Sequence, residues 1–430
     1  MKRAAHIQTA IDILTTIGTS KIPMDNVIRD YMLHRRYVGS KDRAAIVEQV
    51  YGIMRRHARL GWWLEKAGAE DTPRTRVIAD LVLNVQDITN LFTGEKYAPA
   101  TLSEAEKNMI PALKGQDIND PSMPAAVRGE CPDWAADKLK DLFREDFDNQ
   151  MAAMLQPAPL DLRVNTLKST RAKAKDFLAA QDIQTEETPF SPVGLRTQGK
   201  AFMSATKAYA KGLVEIQDEG SQLIALVSGV KPGMRVLDYC AGAGGKTLGL
   251  AAMMENKGNI VAADIDARRL EKGRKRYRKA GVHNVELRCL SDEKDKKWLR
   301  RQKGTMDIVL VDAPCSSSGT WRRNPDLRWN FYGPSLEEIK DMQADILERA
   351  ANKVKAGGRL IYATCSLFQE ENEQQIENFL KKHPEYAVLP LKDALPEGVA
   401  LPCESPYLRL FPHDHNTDGF FTAILVRKNI

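Results

Sequence analysis

The sequence lacks any long apolar run. Among its 430 residues, no stretch approaches the ~20 apolar residues that are needed to span a bilayer. Residues Met1 to His6 lack the apolar stretch and cleavage site of a secretory signal. The six cysteines are scattered, without a Cys-x-x-Cys pair, which argues against a disulfide framework and against a zinc knuckle. We therefore expect a cytoplasmic protein with reduced thiols and no membrane partner.

The chain also has little net charge, formally +6, so bulk charge decides little about its partners. Local charge is more informative. From Arg268 to Lys279 there are eight basic residues and one acidic residue, Glu271, and a second basic group follows between Lys294 and Lys303. One such run is often only a solvated helix face. Together with Arg35-Arg36 and the arginines near residue 56, these runs favour a polyanionic partner.

The length predicts two or three domains. Apolar residues recur at helical spacing in the first 110 residues, and Ser103-x-x-Glu106 forms a capping box, so we predict a helical domain at 1–125. The proline-rich segment from Pro111 to Pro132 is the best linker candidate. A small α+β module should occupy 130–213, and a third domain should occupy 214–430.

The third domain alternates strands with helices, which predicts an α/β fold with a doubly wound, mostly parallel sheet. A helix capped by Ser335 and Glu338 should carry apolar residues as far as Val354 and end at Gly357-Gly358. A final apolar strand, Phe420 to Val426, could pair antiparallel at one edge. The parallel strand candidates are 235–237, 260–263, 285–288, 307–311 and 359–363.

A glycine-rich loop, Asp238 to Thr247, follows the first of these strands. Its Gly245-Lys246-Thr247 end is similar to a P-loop, but Cys240 stands where a P-loop needs glycine. The dinucleotide pattern also fails, because Gly242-x-Gly244 is followed three residues later by threonine. An acid ending the first strand, and Asp264 at the end of the second to receive ribose hydroxyls, favour a methionine-bearing adenosine cofactor.

Two cysteines follow buried strands, Cys315 in Asp-Ala-Pro-Cys-Ser and Cys365 in Thr-Cys-Ser. A single free cysteine is often an inert buried residue, but two at the carboxyl ends of parallel strands could face one ligand. A thiolate that adds to carbon 6 of cytosine makes carbon 5 nucleophilic enough to accept a methyl cation. Asp312 is the candidate to hydrogen-bond ring N3, and a base must then remove the carbon 5 proton. Cys131, Cys289 and Cys403 have no such context, and we predict that they are structural.

These blocks, with Phe411 to Phe420, Gln217 to Ser221 and Pro159 to Leu167, resemble the Fmu/Sun (NOL/NOP/Sun) RNA 5-methylcytosine methyltransferases over residues 130 to 430. The resemblance implies a class I, Rossmann-like methyltransferase domain that uses S-adenosylmethionine. It makes Cys365 the nucleophile and gives Cys315 a part in product release, an order that the residues alone leave open. Ala243 stands where many members carry proline. The predicted catalytic residues are Cys365, Cys315, Asp312 and Lys246, and the predicted cofactor-binding residues are Asp238, Cys240, Ala241, Gly242, Ala243, Gly244, Gly245, Lys246, Asp264, Arg269, Asp292, Asp312 and Pro314.

The N-terminal helices are similar in outline to the antitermination-factor-like (NusB-like) domain of Sun-type bacterial enzymes, so we expect an RNA-binding domain there. The family favours small-subunit ribosomal RNA as the substrate, with transfer RNA second. Two readings of other classes remain open, a P-loop-like ATPase acting on nucleic acid and a non-catalytic RNA-binding assembly factor. We predict no metal, because no cysteine or carboxylate set at ligand spacing accompanies His413-Asp414-His415, and no obligate protein partner is evident.

Overall fold

The computed structural model describes residues 1–199, 201–329, 332–396 and 399–429. The chain forms two compact units. The helical unit comprises Met1–Gln156 and Trp321–Pro334, and the sheet unit comprises Pro157–Thr320 and Ser335–Ile430. Within the described ranges, no helix combines the length and the apolar character that crossing a bilayer requires.

The first six helices of the helical unit are amphipathic and pack around one apolar core. Residues at helical spacing, such as Ile46, Val50 and Ile53, are buried in that core, where they pack with Leu60 and Trp63. The predicted capping box is present, since Ser103 accepts from the Glu106 backbone N–H and Glu106 accepts in return from the Ser103 backbone N–H. The helices are α1 (Arg3–Thr19), α2 (Met24–Leu33), α3 (Ser40–Met54), α4 (His57–Lys66), α5 (Pro73–Leu83), α6 (Glu104–Leu113), α7 (Ala125–Arg128), α8 (Asp133–Phe143) and α9 (Phe147–Leu155).

The predicted linker is partly wrong, because its first residue, Pro111, lies inside α6. Proline removes one backbone donor, and its ring crowds the carbonyl four residues earlier, so a helix does not continue far beyond it. α6 accordingly ends two residues later, at Leu113. The short helix α7 also forms within the predicted linker. Proline content identified a break between helices here, but not its limits.

The sheet unit begins with a small antiparallel sheet in the order β2-β3-β1-β4. Its apolar side chains, among them Leu162, Leu178 and Val214, form a separate core. Val214 therefore starts the fourth strand of this sheet, directly after the predicted end of the α+β module. The elements are β1 (Asp161–Val164), α10 (Arg171–Ala179), β2 (Thr185–Glu187), β3 (Gly194–Thr197), α11 (Lys207–Ala210) and β4 (Val214–Ile216).

The larger sheet has the strand order β10-β12-β9-β8-β5-β6-β7, with β11 paired to β12. Strands β5 to β9 are parallel, as predicted, and this doubly wound arrangement confirms the predicted fold class. The elements are α12 (Glu219–Leu226), β5 (Arg235–Asp238), α13 (Gly245–Met253), β6 (Asn259–Asp264), α14 (Ala267–Ala280), β7 (Val285–Cys289), α15 (Glu293–Arg300), β8 (Met306–Asp312), α16 (Leu336–Ala351), β9 (Val354–Thr364), α17 (Glu373–Lys382), β10 (Tyr386–Val388), α18 (Leu391–Ala394), β11 (Leu408–Leu410), α19 (Pro412–His415) and β12 (Phe420–Arg427).

Two predictions about this sheet were wrong. Helix α16 ends at Ala351, and Val354 already belongs to β9, which contains Gly357 and Gly358. The glycines lie where the register between β9 and β8 shifts, and Gly357 adopts a φ of +71° there. The final strand, β12, is antiparallel but lies between β9 and β10 rather than at an edge. Its continuous apolar sequence is buried on both faces, as an interior strand requires.

Candidate active site

Most of the predicted site residues lie at the ends of four neighbouring strands, β6-β5-β8-β9, or on the segments that follow them, whereas Arg269 lies on α14 and Asp292 follows β7. β5 ends at Asp238, β6 at Asp264 and β8 at Asp312, and β9 ends at Thr364, one residue before Cys365. Because the four strands are parallel, their carboxyl ends share one edge of the sheet, which is where open α/β sheets bind ligands. The fold therefore groups the predicted residues along one edge of the sheet.

The glycine-rich loop turns sharply from β5 into α13. Gly242 has a φ of +56°, and Gly244 has a φ of +78° at the cap of α13, conformations that favour glycine. The Ala241 N–H donates to the Ala263 carbonyl of β6 at 2.9 Å, and the Gly244 N–H donates to the Ala241 carbonyl at 2.9 Å. These bonds fix the backbone around Ala243 and leave the loop close to the ends of both strands.

Two acids border this loop. Asp264 accepts from the Gly242 N–H at 2.7 Å, and Asp238 accepts from the Thr247 hydroxyl at 2.6 Å. The second oxygen of Asp238, Oδ1, is buried without a protein partner. Burial raises the pKa of Asp238 to about 7, and burial also raises the pKa of the neighbouring Cys240 thiol. An unsatisfied buried acceptor is costly unless a ligand donates to it, so this cradle fits an adenosine cofactor bearing hydroxyl and ammonium groups.

Two arginines that the sequence analysis missed hold the same loop. Arg276, on α14, donates to the Ala243 carbonyl at 2.8 Å, and Arg163, on β1, donates to the Gly245 carbonyl at 2.7 Å. Glu215 on β4 holds Arg276 at 3.1 Å and Lys279 at 2.8 Å. The small sheet therefore helps to shape the cofactor loop. Arg163 lies in the block Pro159 to Leu167, which carries part of the family resemblance, but nothing in the local sequence pattern indicates this contact.

Three further residues surround the end of β6. Arg269, predicted in the cofactor site, lies over the loop, because a Cβ on Gly242 would come within 2.5 Å of its Nη2. Ile265, which was not predicted, is 73% exposed directly after Asp264 and offers an apolar surface to a flat ring. The apolar residue directly after Asp264 was the feature of the sequence that could have indicated this surface. Asp292 caps α15 by accepting from the Lys294 N–H at 2.7 Å, so its contact with adenine stays a prediction.

A buried ion pair joins the loop to β8. Lys246 Nζ lies 2.7 Å from Asp312 Oδ2, and the two side chains are 10% and 34% exposed. Burial opposes the lysine charge, but the Asp312 carboxylate outweighs it and raises the pKa of Lys246. Two predicted catalytic residues are therefore in direct contact, with Asp312 accepting a hydrogen bond from the Lys246 ammonium group.

The two predicted thiols also meet. Cys315 Sγ lies 3.4 Å from Cys365 Sγ, and Ser317 Oγ lies 3.5 Å from Cys365 Sγ. The hydrogen bond from Cys315 lowers the pKa of Cys365 against the opposing effect of burial, and Ser317 acts in the same direction. The Asp312 charge raises this pKa, and the Lys246 charge lowers it by a smaller amount. The same contact, together with burial and the Glu371 charge, raises the pKa of Cys315. The arrangement favours a Cys365 thiolate that accepts a hydrogen bond from a Cys315 thiol. Pro314, just before Cys315, accepts from Gln343 Nε2 at 2.9 Å through its carbonyl.

The other cysteines lie outside this group. Cys131 is buried in the core of the helical unit, where burial raises its pKa to about 12. Cys403 accepts from the Arg409 N–H at 3.4 Å, and Cys289 lies 3.0 Å from the Ser291 hydroxyl. Neither contact adds a thiol to the pair at the ends of β8 and β9.

Part of the basic run on α14 forms ion pairs within the protein. Arg276 and Lys279 bind Glu215, and Arg274 pairs with Glu271 at 2.9 Å. The remaining basic side chains of this helix are largely exposed, as a polyanion-binding surface would need. These are Arg268, Arg269, Lys272, Lys275 and Arg278.

Comparison with known proteins places this arrangement among ribosomal RNA methyltransferases. The sequence profile described as 16S rRNA methyltransferase RsmB/F matches residues 225–426, and the RsmF/B-like ferredoxin-like domain matches residues 131–202. The probable ribosomal RNA small subunit methyltransferase B of Synechocystis is 30% identical over 441 residues, which cover 97% of this chain and 98% of that protein.

Solved structures agree. The crystal structure of PH0851 is 25% identical, covers 99% of each chain and has a TM-score of 0.76. A methyltransferase homologue from Pyrococcus horikoshii is 31% identical, covers 72% of this chain and 99% of its own, and has a TM-score of 0.60. Both likenesses extend beyond the sheet that carries the site.

Proposed function

The chain belongs to the RsmB/F family of 16S rRNA methyltransferases, and we propose that it methylates carbon 5 of a cytosine through a transient covalent bond to Cys365. The enzyme is a methyltransferase that acts on ribosomal RNA with S-adenosylmethionine as its cofactor. The observation that carries the finer proposal is the pair of sulfur atoms 3.4 Å apart beside the Lys246–Asp312 ion pair.

In the first half of the reaction, the Cys365 thiolate attacks carbon 6 of the ring and forms a carbon–sulfur bond. The electron pair of the 5,6 double bond moves to carbon 5, which then acts as a nucleophile. S-adenosylmethionine supplies the methyl cation that carbon 5 accepts. The hydrogen bond from Cys315, supported by Ser317, lowers the pKa of Cys365 and so favours its thiolate form.

The ion pair changes the role expected for Asp312. Asp312 accepts a hydrogen bond from Lys246, and an acceptor suits the cytosine 4-amino group rather than ring N3, for which the sequence analysis had considered Asp312. In this assignment Lys246, rather than Asp312, is the member of the ion pair that donates hydrogen bonds. Its ammonium group brings a positive charge that stabilises the negative charge developing on the attacked ring.

In the second half, the proton on carbon 5 passes to water and its electron pair restores the 5,6 double bond. The carbon–sulfur bond breaks, and its electron pair returns to the Cys365 sulfur. Cys315 assists because its S–H donates to the sulfur atom that leaves, in the hydrogen bond described above. We therefore assign Cys365 as the nucleophile and Cys315 as the group that stabilises the departing thiolate.

The residues that would hold the cofactor surround the glycine-rich loop. Asp264 suits the ribose hydroxyls, since its two oxygens accept one N–H each, from Gly242 and from Asp266, and each carboxylate oxygen has a second lone pair. The unpartnered oxygen of Asp238 suits the ammonium group of the methionine portion. Exposed Ile265 suits the adenine ring.

The test is nucleoside analysis of transcripts incubated with the purified protein and the methyl donor. We expect 5-methylcytidine in a small-subunit ribosomal RNA transcript, its loss in Cys365→Ala, and its retention in the matched control Cys403→Ala. A transfer RNA arm separates the two substrate classes. Methylation at another cytosine position, or unchanged product from Cys365→Ala, would contradict the proposal.

A further inference from the structure

Glu371 is a fully buried carboxylate, 0% exposed, next to the two thiols, and the proposed reaction gives it no role. It lies in a single turn, Gln369–Glu371, between β9 and α17. One oxygen accepts from the Ser316 N–H at 2.8 Å and from Gln343 Nε2 at 2.9 Å. The other accepts from the hydroxyls of Ser316 and Ser366. Burying a charge is expensive, and these four donors replace the water that it loses.

The donors come from the residues that flank the reactive cysteines. Ser316 follows Cys315, and Ser366 follows Cys365. Gln343 also donates to the Pro314 carbonyl at 2.9 Å. The backbone on both sides of Cys315 is therefore fixed, one side directly by Glu371 and the other through Gln343.

The next residue, Asn372, holds the loop of Cys365 in the same way. Thr364 donates its hydroxyl to Asn372 Oδ1 at 2.6 Å, and Asn372 Nδ2 donates to the Ser366 carbonyl at 2.9 Å. Thr364 and Ser366 flank Cys365. Glu371 is the member of this consecutive pair that reaches both cysteine loops, since its second oxygen receives Ser316 and Ser366 together.

We propose that Glu371 is a positioning residue that joins the two cysteine loops and keeps the Cys315 thiol within reach of the sulfur that leaves carbon 6. This inference rests on the proposed function. The distance matters in release above all, because Cys315 must donate to Cys365 at the moment the carbon–sulfur bond breaks. A sulfur that drifts by about 1 Å loses most of this assistance, a change on the order of 100-fold in rate.

The electrostatics point the same way. The hydrogen bond to Cys365 and burial raise the pKa of the Cys315 thiol, and the negative charge of Glu371 adds to that shift. Glu371 thereby helps to keep a proton on the thiol that must donate it. The charge and the hydrogen bonds of Glu371 both act on Cys315 rather than on the cofactor loop.

The test is Glu371→Gln, with Glu377→Gln on the exposed side of α17 as the matched control. We expect Glu371→Gln to bind S-adenosylmethionine and RNA with wild-type affinity. It should form the covalent RNA adduct but release product on the order of 100-fold more slowly, so that the adduct accumulates on a denaturing gel. Because only the step after adduct formation slows, kcat and the Michaelis constant should fall together while kcat/KM stays at the wild-type value, and Glu377→Gln should match the wild type.

Ser316→Ala covers the case in which Glu371→Gln does not fold. It removes one hydroxyl donor but leaves the backbone donor, so it should slow release about tenfold, a smaller effect than that of Glu371→Gln. Normal release in either folded variant would overturn the inference, and so would equal losses of cofactor binding and adduct formation. If Cys315→Ala traps no adduct, the proposed function itself fails, and the inference fails with it.

Discussion

Replacing Lys246 with methionine should destabilise the sheet unit, because it leaves the Asp312 carboxylate without its cation. The two groups lie 2.7 Å apart, and the lysine side chain is only 10% exposed. Removing one partner of a buried ion pair costs about 3–5 kcal/mol. Asp312 is 34% exposed, so water screens the charge that remains, and we expect a loss of about 2 to 3 kcal/mol in the free energy of unfolding.

The assay is a double-mutant cycle on the protein without cofactor or RNA. Unfolding in urea can be followed by pulse proteolysis, which measures the fraction of the protein that is unfolded at each urea concentration. Lys246→Met/Asp312→Asn removes both charges, so its cost should be smaller than the sum of the single costs by about 1 to 2 kcal/mol. The control is Lys257→Met, which breaks an ion pair of the same 2.7 Å length in which both side chains are exposed. It should cause no measurable change.

Two results would refute this reasoning. Additive single costs would mean that the two charges do not stabilise one another. A Lys246→Met protein as stable as Lys257→Met would mean that the burial of the pair has no energetic consequence. Either result would also remove the basis for giving Lys246 a fixed positive charge beside Cys365.

Three further predictions concern the thiols, the loop and the buried acid. Iodoacetamide near neutral pH should label Cys365 before Cys315. Cys315→Ala should slow the labelling of Cys365, because it removes the hydrogen bond that lowers the pKa of Cys365. Peptide mass spectrometry reads both sites, and faster labelling of Cys315 would contradict the assignment. Arg276→Met should weaken S-adenosylmethionine binding about tenfold in calorimetry, because a loop carbonyl loses its donor, whereas exposed Lys275→Met should bind normally. Burial raises the pKa of Asp238 to about 7, so the folded state keeps a proton that the unfolded state releases near pH 4, and the stability from this proton is present below about pH 4 and lost as the pH rises towards 7. Asp238→Asn, which cannot ionise, should therefore gain stability relative to the wild type between pH 5 and pH 8, and a constant difference would contradict this.

The sequence predicted the positions of site residues well where a motif directly follows a predicted strand. Apolar runs located β8 and β9, and the rule that parallel strands present their carboxyl ends together placed Cys315 near Cys365. The same rule brought Asp238 and Asp264 to the cofactor loop. These predictions needed only the local sequence pattern and the known geometry of parallel sheets.

Contacts between distant segments could not be predicted in this way. Arg163 binds the carbonyl of a residue 82 positions away, and Glu371 binds Ser316 55 positions away. No local pattern specifies which buried polar group meets which. The prediction that Gly357-Gly358 ends a helix was wrong for a related reason. Paired glycines suit a helix end and an irregular strand equally well, and only the pairing of β9 with β8 decides between them.

The most direct test of the account is whether the protein becomes covalently attached to its RNA, and through which cysteine. Purified Cys315→Ala and Cys365→Ala proteins should be incubated with the small-subunit ribosomal transcript and S-adenosylmethionine, then separated under denaturing conditions. The account predicts a stable RNA–protein adduct with Cys315→Ala, joined through Cys365, and none with Cys365→Ala. An adduct formed by Cys365→Ala but not by Cys315→Ala would contradict it.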